Sequence, residues 1–202
     1  AAAHTLVVGD TIHYYWAHKK PTDTAWELMH STAPVDDPYD VTHDPHNPIL
    51  TAGPKGAFDD TGVEYPFPFF NPHNGKYYMY YLGNNGLPLK QTGLLVRGED
   101  FSTWRRVNDG PVIPIEYEYE KNGSSHPSVA IDGDTIHILY TGEGDGLGGE
   151  HHPYNNPVLC HATAPTSDPS NITKDPNNPL LLTCGQDWDQ YGIRETEILK
   201  VG

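Results

Sequence analysis

The chain has 202 residues, enough for one domain with a sizeable core. Its 27 acidic and 12 basic residues give a net charge of −15. That charge disfavours nucleic acid and anionic membrane surfaces as partners, because both are negatively charged. No apolar run approaches the roughly 20 residues that a membrane span requires.

Turn-forming and aromatic residues dominate the composition, with 20 glycines, 19 prolines and 13 tyrosines. Proline and glycine interrupt nearly every window that is long enough for a helix, which predicts a turn-rich, all-β chain. The two cysteines, Cys160 and Cys184, are compatible with a disulfide and equally with two free thiols.

A short turn motif recurs along the chain. The string GDTIH occupies residues 9–13 and again 133–137, and a variant, NGKYYMYY, occupies 74–81. Each copy runs from turn-forming residues into β-branched or aromatic ones. Each therefore predicts a tight turn that enters a strand.

A longer motif also repeats. Residues 33–50 and 164–181 are identical at 10 of 18 positions, and both predict an Asp-Pro loop followed by an edge strand. A weaker copy lies at 99–114. Short apolar runs of the buried-strand type precede the turns, at residues 4–8, 63–70, 125–131 and 195–201. Together these motifs define a four-stranded unit with a period of about 60 residues.

Four short strands per repeat are typical of the blades of a β-propeller, in which radial sheets surround a central channel. The expected blades are residues 1–60, 61–121 and 122–190, and residues 191–202 start a fourth. We therefore expect one partial propeller domain of about three blades plus one strand. A lone inner strand leaves backbone groups unpaired. We expect further residues, or a second chain through self-association, to complete the propeller.

Equivalent positions near the start of each inner strand are the candidates for a site, because inner strands line the channel where ligands bind. Counting back from the turn glycines gives Ala2, His126 and Glu195. The second repeat has a longer turn, and the proline that follows each residue aligns Tyr65 with His126.

The chain resembles the five-bladed β-propeller glycoside hydrolases, the superfamily that includes families 43 and 32. The second repeat has Tyr-Pro-Phe and then Asn-Gly-Lys-Tyr-Tyr, where family 43 has a Trp-Ala-Pro-Asp strand and a similar hairpin. The third has His-Pro-Ser before Asp-Gly, where the family has Asp-Pro-Ser. The fourth has Glu-Thr-Glu with a later Lys and Gly, where the family has Glu-Gly-Pro. The resemblance covers nearly the whole chain and implies five blades in the complete unit.

The resemblance implies hydrolysis of a glycosidic bond by two carboxyl groups, one of them protonated so that it can donate to the leaving oxygen. By resemblance, Glu195 holds the position of the general acid and His126 that of the acidic residue that tunes it. Ala2 falls where the family has its base, so the sequence shows no catalytic base. Glu197, two residues further along the same strand face, is a second candidate for the acid.

Four residues are candidate substrate-binding groups: Tyr65, Arg194, Glu64 and Asp60. Tyr65 either stacks on a sugar ring or packs in the core, as most strand aromatics do. Arg194 either binds a sugar hydroxyl or carboxylate with its planar guanidinium or is a surface residue. Asp59 and Asp60 precede the second inner strand, where they either replace the missing carboxylate or form a turn.

Ligand spacing predicts no metal site. Glu150, His151 and His152 carry ligand chemistry, but adjacent histidines on a strand point in opposite directions. We expect no required cofactor, and a structural calcium ion is the one metal considered.

The predicted function is hydrolysis of glycosidic bonds in a plant, algal or microbial glycan, with arabinofuranosides or fructosides as first candidates by resemblance. Such a polysaccharide-degrading enzyme is expected to be secreted or periplasmic. The departures at Ala2 and His126 keep open a non-catalytic carbohydrate-binding propeller. The lone inner strand keeps open a scaffold that assembles with another chain.

Overall fold

The structure, a computed structural model, describes residues 3–19, 25–86, 89–144, 156–180 and 192–200. Strands dominate these residues, and a single short 3₁₀ turn lies at Glu118–Glu120. Among the described residues, no helix has the length and apolar character needed to cross a membrane.

Three consecutive meanders of four antiparallel strands make up the fold. The first contains β1 (Ala3–Val8), β2 (Thr11–His18), β3 (Glu27–Pro34) and β4 (Thr42–His43). The second contains β5 (Gly62–Asn71), β6 (Lys76–Asn84), β7 (Lys90–Arg97) and β8 (Trp104–Arg106). The third contains β9 (Gly123–Asp132), β10 (Thr135–Glu143), β11 (Val158–Pro165) and β12 (Thr173–Lys174). The prediction of an all-β, partial propeller with four-stranded blades is confirmed.

The two GDTIH copies form the β1–β2 and β9–β10 hairpins. Val8 pairs with Thr11, and Asp132 pairs with Thr135, so each connection has two residues. Gly9 and Gly133 adopt φ values of 57° and 55°, a left-handed conformation that glycine reaches without steric cost. The tight turns predicted from the motif are therefore present.

The repeated Asp-Pro loops are held by asparagine side chains. The Asn47 amide group donates to the backbone oxygen of His30 at 2.7 Å, and Asn47 Oδ1 accepts from the His30 N–H at 2.7 Å. Asn178 makes the same pair of bonds with His161, each at 2.8 Å. Each asparagine thus ties its loop to the third strand of its own blade.

The core lies between blades, because successive side chains of a strand point to opposite faces. Met79 and Tyr81 of β6 pack toward the first blade, with Tyr15 and Leu28. Tyr80 of β6 packs the other way, in a cluster with residues of β10 and β11. The second blade is consequently buried on both faces, and each fully buried large side chain contributes about 1.5–3 kcal/mol.

The expected strand of a fourth blade is not formed, since residues 192–200 carry no strand. The Ile193 N–H donates to the Pro157 oxygen at 2.9 Å. A strand needs a neighbouring ladder, and none of the described residues supplies a second strand for this blade.

Cys160 is a buried free thiol whose pKa is raised to about 12 by burial. Cys184 lies outside the described residues.

Candidate functional site

The inner strands of the three blades are neighbours, with β1 packed against β5 and β5 against β9. The β5–β6 ladder shifts register between Glu64 and Phe67, and the β9–β10 ladder shifts opposite Leu139 and Thr141. The two irregularities lie at Tyr65 and His126. A β-bulge bends its strand and re-aims a side chain. Both residues are thereby redirected at the same position of consecutive blades.

Backbone conformation identifies a third equivalent residue. Tyr65, His126 and Glu195 have φ values of 47°, 51° and 55°, and the structure gives no other described non-glycine residue a positive φ. Such conformations cost on the order of 1–3 kcal/mol each and cluster at functional sites. The alignment of these three residues, made from turn spacing and a shared proline, is therefore matched by their geometry. Ala2, its expected counterpart in the first blade, lies outside the described residues.

These residues surround a pocket of about 190 Å³ at the inner strands. The start of β1 contributes Ala3 and His4, and β5 contributes Tyr65 and Phe67. The remaining walls come from β9 and the chain after it, through residues 126–128 and 195–197. Four separate stretches of sequence thus meet at one concave surface, as is usual for a binding site.

Glu195 is the centre of the polar contacts in the pocket. The Tyr65 hydroxyl donates to Glu195 Oε1 at 3.2 Å, and His126 Nε2 lies 3.9 Å from the same oxygen. The rings of Tyr65 and His126 meet edge to face with centroids 4.2 Å apart. The Glu195 side chain is 61% exposed, whereas that of His126 is 4% exposed. A ligand in the pocket would therefore meet the carboxylate directly.

Burial controls the protonation of the groups around Glu195. It lowers the pKa of His126 to about 4, against the opposing charge of Glu195, so the ring is neutral at pH 7. Burial, together with the charge of Glu195, raises the pKa of Tyr65 to about 12, so its hydroxyl stays a donor. Burial also lowers the pKa of His4, while Glu197 and Glu195 act in the opposite direction. The pocket therefore combines neutral donors and acceptors with carboxylates.

A buried carboxylate outside the pocket wall, that of Glu143, binds two of the segments that form the pocket. Glu143, at the end of β10, accepts from the Ser125 hydroxyl on Oε1 and from Arg194 Nη2 on Oε2, both at 2.7 Å. Ser125 Oγ also lies 2.7 Å from His126 Nδ1. Sequence reasoning did not identify Glu143. The available signal was the one acidic residue of β10, at the end of that strand.

The four candidate substrate-binding residues occupy different environments. Tyr65 lines the pocket. Arg194 does not line it, and its guanidinium forms an ion pair with Glu143. Glu64 is buried on β5 and is absent from the pocket wall, because adjacent strand residues point in opposite directions. Asp60 lies in the loop before β5, where its Oδ2 accepts from the Gly56 N–H at 2.7 Å. Asp60 is thus a turn residue in this structure.

Other candidates are also placed. Glu197 lines the pocket beside Glu195. Asp59 is 1% exposed and accepts from the Tyr81 hydroxyl and from Arg106 Nε, both at 2.8 Å, so it does not supply a pocket carboxylate. Within the described ranges, no group of three histidine, cysteine, aspartate or glutamate residues is arranged to hold a metal ion. The loop candidates Glu150, His151 and His152 lie outside those ranges.

The fold is similar to those of solved glycoside hydrolases. A thermostable family-43 glycoside hydrolase is 15% identical, with a TM-score of 0.65 over 89% of this chain and 55% of that one. A Bombyx mori GH32 β-fructofuranosidase is 15% identical, with a TM-score of 0.60 over 87% of this chain and 36% of the enzyme. An endo-arabinase from Bacteroides thetaiotaomicron is 9% identical, with a TM-score of 0.60 over 87% and 60% of the two chains.

No protein-family model matches the chain, and no curated protein matches it significantly. This chain spans only 36% to 60% of the length of the three solved structures above. At these identities the likeness establishes the fold, and fold alone does not specify activity. The resemblance to propeller glycoside hydrolases is therefore confirmed for the architecture.

Proposed function

We propose that this protein hydrolyses glycosidic bonds and that Glu195 is its general acid. One observation carries the proposal. Tyr65, His126 and Glu195 all have a left-handed backbone conformation, and all three line one pocket. The architecture supports it, because the three solved structures named above are a glycoside hydrolase, a β-fructofuranosidase and an endo-arabinase. A carbohydrate is accordingly the proposed substrate.

The pocket offers the groups that acid-assisted departure of a sugar requires. A general acid must lie within hydrogen-bond reach of the leaving oxygen, and Glu195 is the exposed carboxyl at the pocket wall. The Tyr65 hydroxyl fixes one carboxyl oxygen and leaves the other for substrate. Neutral His126 adds no positive charge beside the carboxyl at pH 7.

Glycoside hydrolysis also needs a second carboxylate, which either activates water or attacks the sugar. Glu197 is the other carboxylate that lines the described pocket, and we propose it as the partner unless a residue outside this chain supplies one. Arabinofuranosides and fructosides are the proposed substrates to test first. This choice agrees with the names of two of the structural neighbours.

The test is Glu195→Gln on two substrates that differ in their leaving group. Release of sugar from arabinan or a fructan should fall on the order of 100-fold or more, because proton donation to the leaving oxygen is lost. A dinitrophenyl furanoside needs no such proton, so its hydrolysis should fall far less. Glu118→Gln, an exposed carboxylate outside the pocket, is the matched control.

Equal activity of wild type and Glu195→Gln on the glycan would remove Glu195 from the mechanism. Sugar binding by the wild type without any product would favour the carbohydrate-binding alternative.

We further propose that additional residues or a second chain complete the propeller, and that the protein is secreted or periplasmic. Native mass spectrometry and fractionation of the producing cells test these two points.

A further inference from the structure

Glu143 contacts two different segments of the site although it does not line the pocket. It is 6% exposed, and each of its carboxylate oxygens receives one hydrogen bond. The donors are Ser125 and Arg194, which directly precede His126 and Glu195 in the chain. One buried carboxylate thus binds the residue before each of two pocket residues, across the junction between the third blade and the chain that follows it.

The contact with Ser125 determines which nitrogen of His126 carries a proton. A serine hydroxyl has one proton, and an ionised carboxylate can only accept. The Ser125 proton therefore points to Glu143 Oε1, and Ser125 Oγ is left to accept from His126 Nδ1 at 2.7 Å. A neutral histidine with a proton on Nδ1 has an unprotonated Nε2. That nitrogen is the one that lies 3.9 Å from Glu195 Oε1.

The contact with Arg194 restrains the segment that carries Glu195. Residues 192–200 form no strand, so a ladder does not fix this segment. Its described attachments near the site are the Ile193 N–H bond to Pro157, the Arg194–Glu143 ion pair and the Tyr65–Glu195 hydrogen bond. Guanidinium–carboxylate contacts of this length are among the stronger hydrogen bonds.

We propose that Glu143 is a positioning residue: through Ser125 it holds His126 as the Nδ1–H tautomer, and through Arg194 it holds Glu195 beside the unprotonated Nε2. In this arrangement His126 presents an unprotonated Nε2 at 3.9 Å from Glu195 Oε1 and has no proton there to donate to the carboxylate. The part of this inference that concerns catalysis rests on the proposed function. The tautomer and its dependence on Glu143 do not.

The first experiment measures the tautomer by nitrogen-15 NMR of histidine-labelled protein at pH 7, with His126→Gln used to assign the signal. Wild type should show a protonated Nδ1 and an unprotonated Nε2. Ser125→Ala removes the near acceptor for Nδ1 and leaves Glu143 Oε1 at 3.6 Å, so the proton should move at least partly to Nε2. Glu143→Gln should cause the same change when its amide group faces Ser125. A wild-type proton on Nε2, or a tautomer unchanged in both variants, would overturn the proposal.

The second experiment compares kcat and KM for Glu143→Gln with those for Glu120→Gln. Glu120 is a closely matched control, because it is buried and accepts from a hydroxyl, that of Tyr140, and from a cation, Lys174, both at 2.8 Å. Glu143→Gln should lower kcat on the order of 100-fold, as expected when a catalytic group is misplaced by about 1 Å. Glu120→Gln should destabilise the fold without that loss of kcat in the folded protein.

Equal kcat values for the two glutamine variants would refute the positioning role. If Glu143→Gln does not fold, Ser125→Ala and Arg194→Met separate the two contacts and give the same comparison. An inactive wild type with the expected tautomer change would count against the proposed function while supporting the role of Glu143 in the tautomer.

Discussion

The Tyr65 hydroxyl donates to Glu195 Oε1 at 3.2 Å although 130 positions separate the two residues in the chain. The bond joins the inner strand of the second blade to the segment after the third blade. It is possible because both residues occupy the same left-handed position of the repeat. The contact therefore depends on how the inner strands of successive blades pack together, as well as on local sequence.

Replacing Tyr65 by phenylalanine should lower kcat while KM changes little. The ring is kept, and only the donor to Glu195 is lost, a bond worth about 1 kcal/mol where solvent is near. We expect a decrease in kcat of about fivefold to tenfold. Steady-state kinetics on the glycan measure it, with Tyr39→Phe, whose parent residue is 93% exposed, as the control. An unchanged kcat would show that this hydrogen bond does not assist the reaction.

The protein should lose stability as the pH falls from about 6.5 to about 4. Burial lowers the pKa values of both His13 and His126 to about 4, from an ordinary value of 6.5. In that window the unfolded chain binds protons that the folded chain does not, so acid favours unfolding. Protonation of the unfolded chain at each histidine should lower the unfolding free energy by about 1–2 kcal/mol between pH 7 and pH 5.

Urea unfolding at the two pH values measures this loss. His13→Gln removes one of the two histidines, so its stability should depend less on pH than that of the wild type. His18→Gln replaces an exposed histidine on β2 and should leave the pH dependence as it was. A wild-type curve that is flat across this range would contradict the prediction.

Substitution of Gly123 by alanine should destabilise the junction between the second and third blades. Gly123 has a φ of 155°, and a Cβ there would meet the backbone oxygen of Lys90, its parallel partner. We expect a loss of about 3 kcal/mol of unfolding free energy, since strain and overlap act together. Gly133→Ala, at a φ of 55° with open space around it, should cost only about 1–2 kcal/mol. Chemical unfolding of both variants measures the two losses. A larger loss of unfolding free energy for Gly133→Ala than for Gly123→Ala would contradict the prediction.

Substitution of Asp59 by asparagine should affect stability and not activity. The carboxylate is buried in the loop before β5 and pairs with Arg106, which is 25% exposed. Loss of its charge leaves Arg106 without its partner and should cost about 2–3 kcal/mol, less than for a fully buried pair. The exposed Asp36 provides the control variant, Asp36→Asn. A large decrease in kcat of folded Asp59→Asn would contradict this purely structural role.

Much of the architecture could be predicted because the local rules are strong. The glycine at position 9 and its copy at 133 predicted the two-residue hairpins, and both adopt left-handed conformations. The proline that follows Tyr65 and His126 gave the correct alignment of the second and third inner strands. Residues 192–200, expected to start a fourth blade, carry no strand, because a strand depends on a partner ladder as well as on its own sequence.

The sequence by itself determined the repeat, the all-β architecture and the equivalence of Tyr65, His126 and Glu195, since turn geometry and strand alternation act over a few residues. Only the tertiary structure decided which side chains meet. It placed Glu143 behind the pocket, joined Arg194 to it, and left Glu64 and Asp60 out of the pocket wall. The physical reason is that contacts such as Arg194–Glu143 join residues far apart in the chain, and their directions depend on how blades pack and where strands bulge.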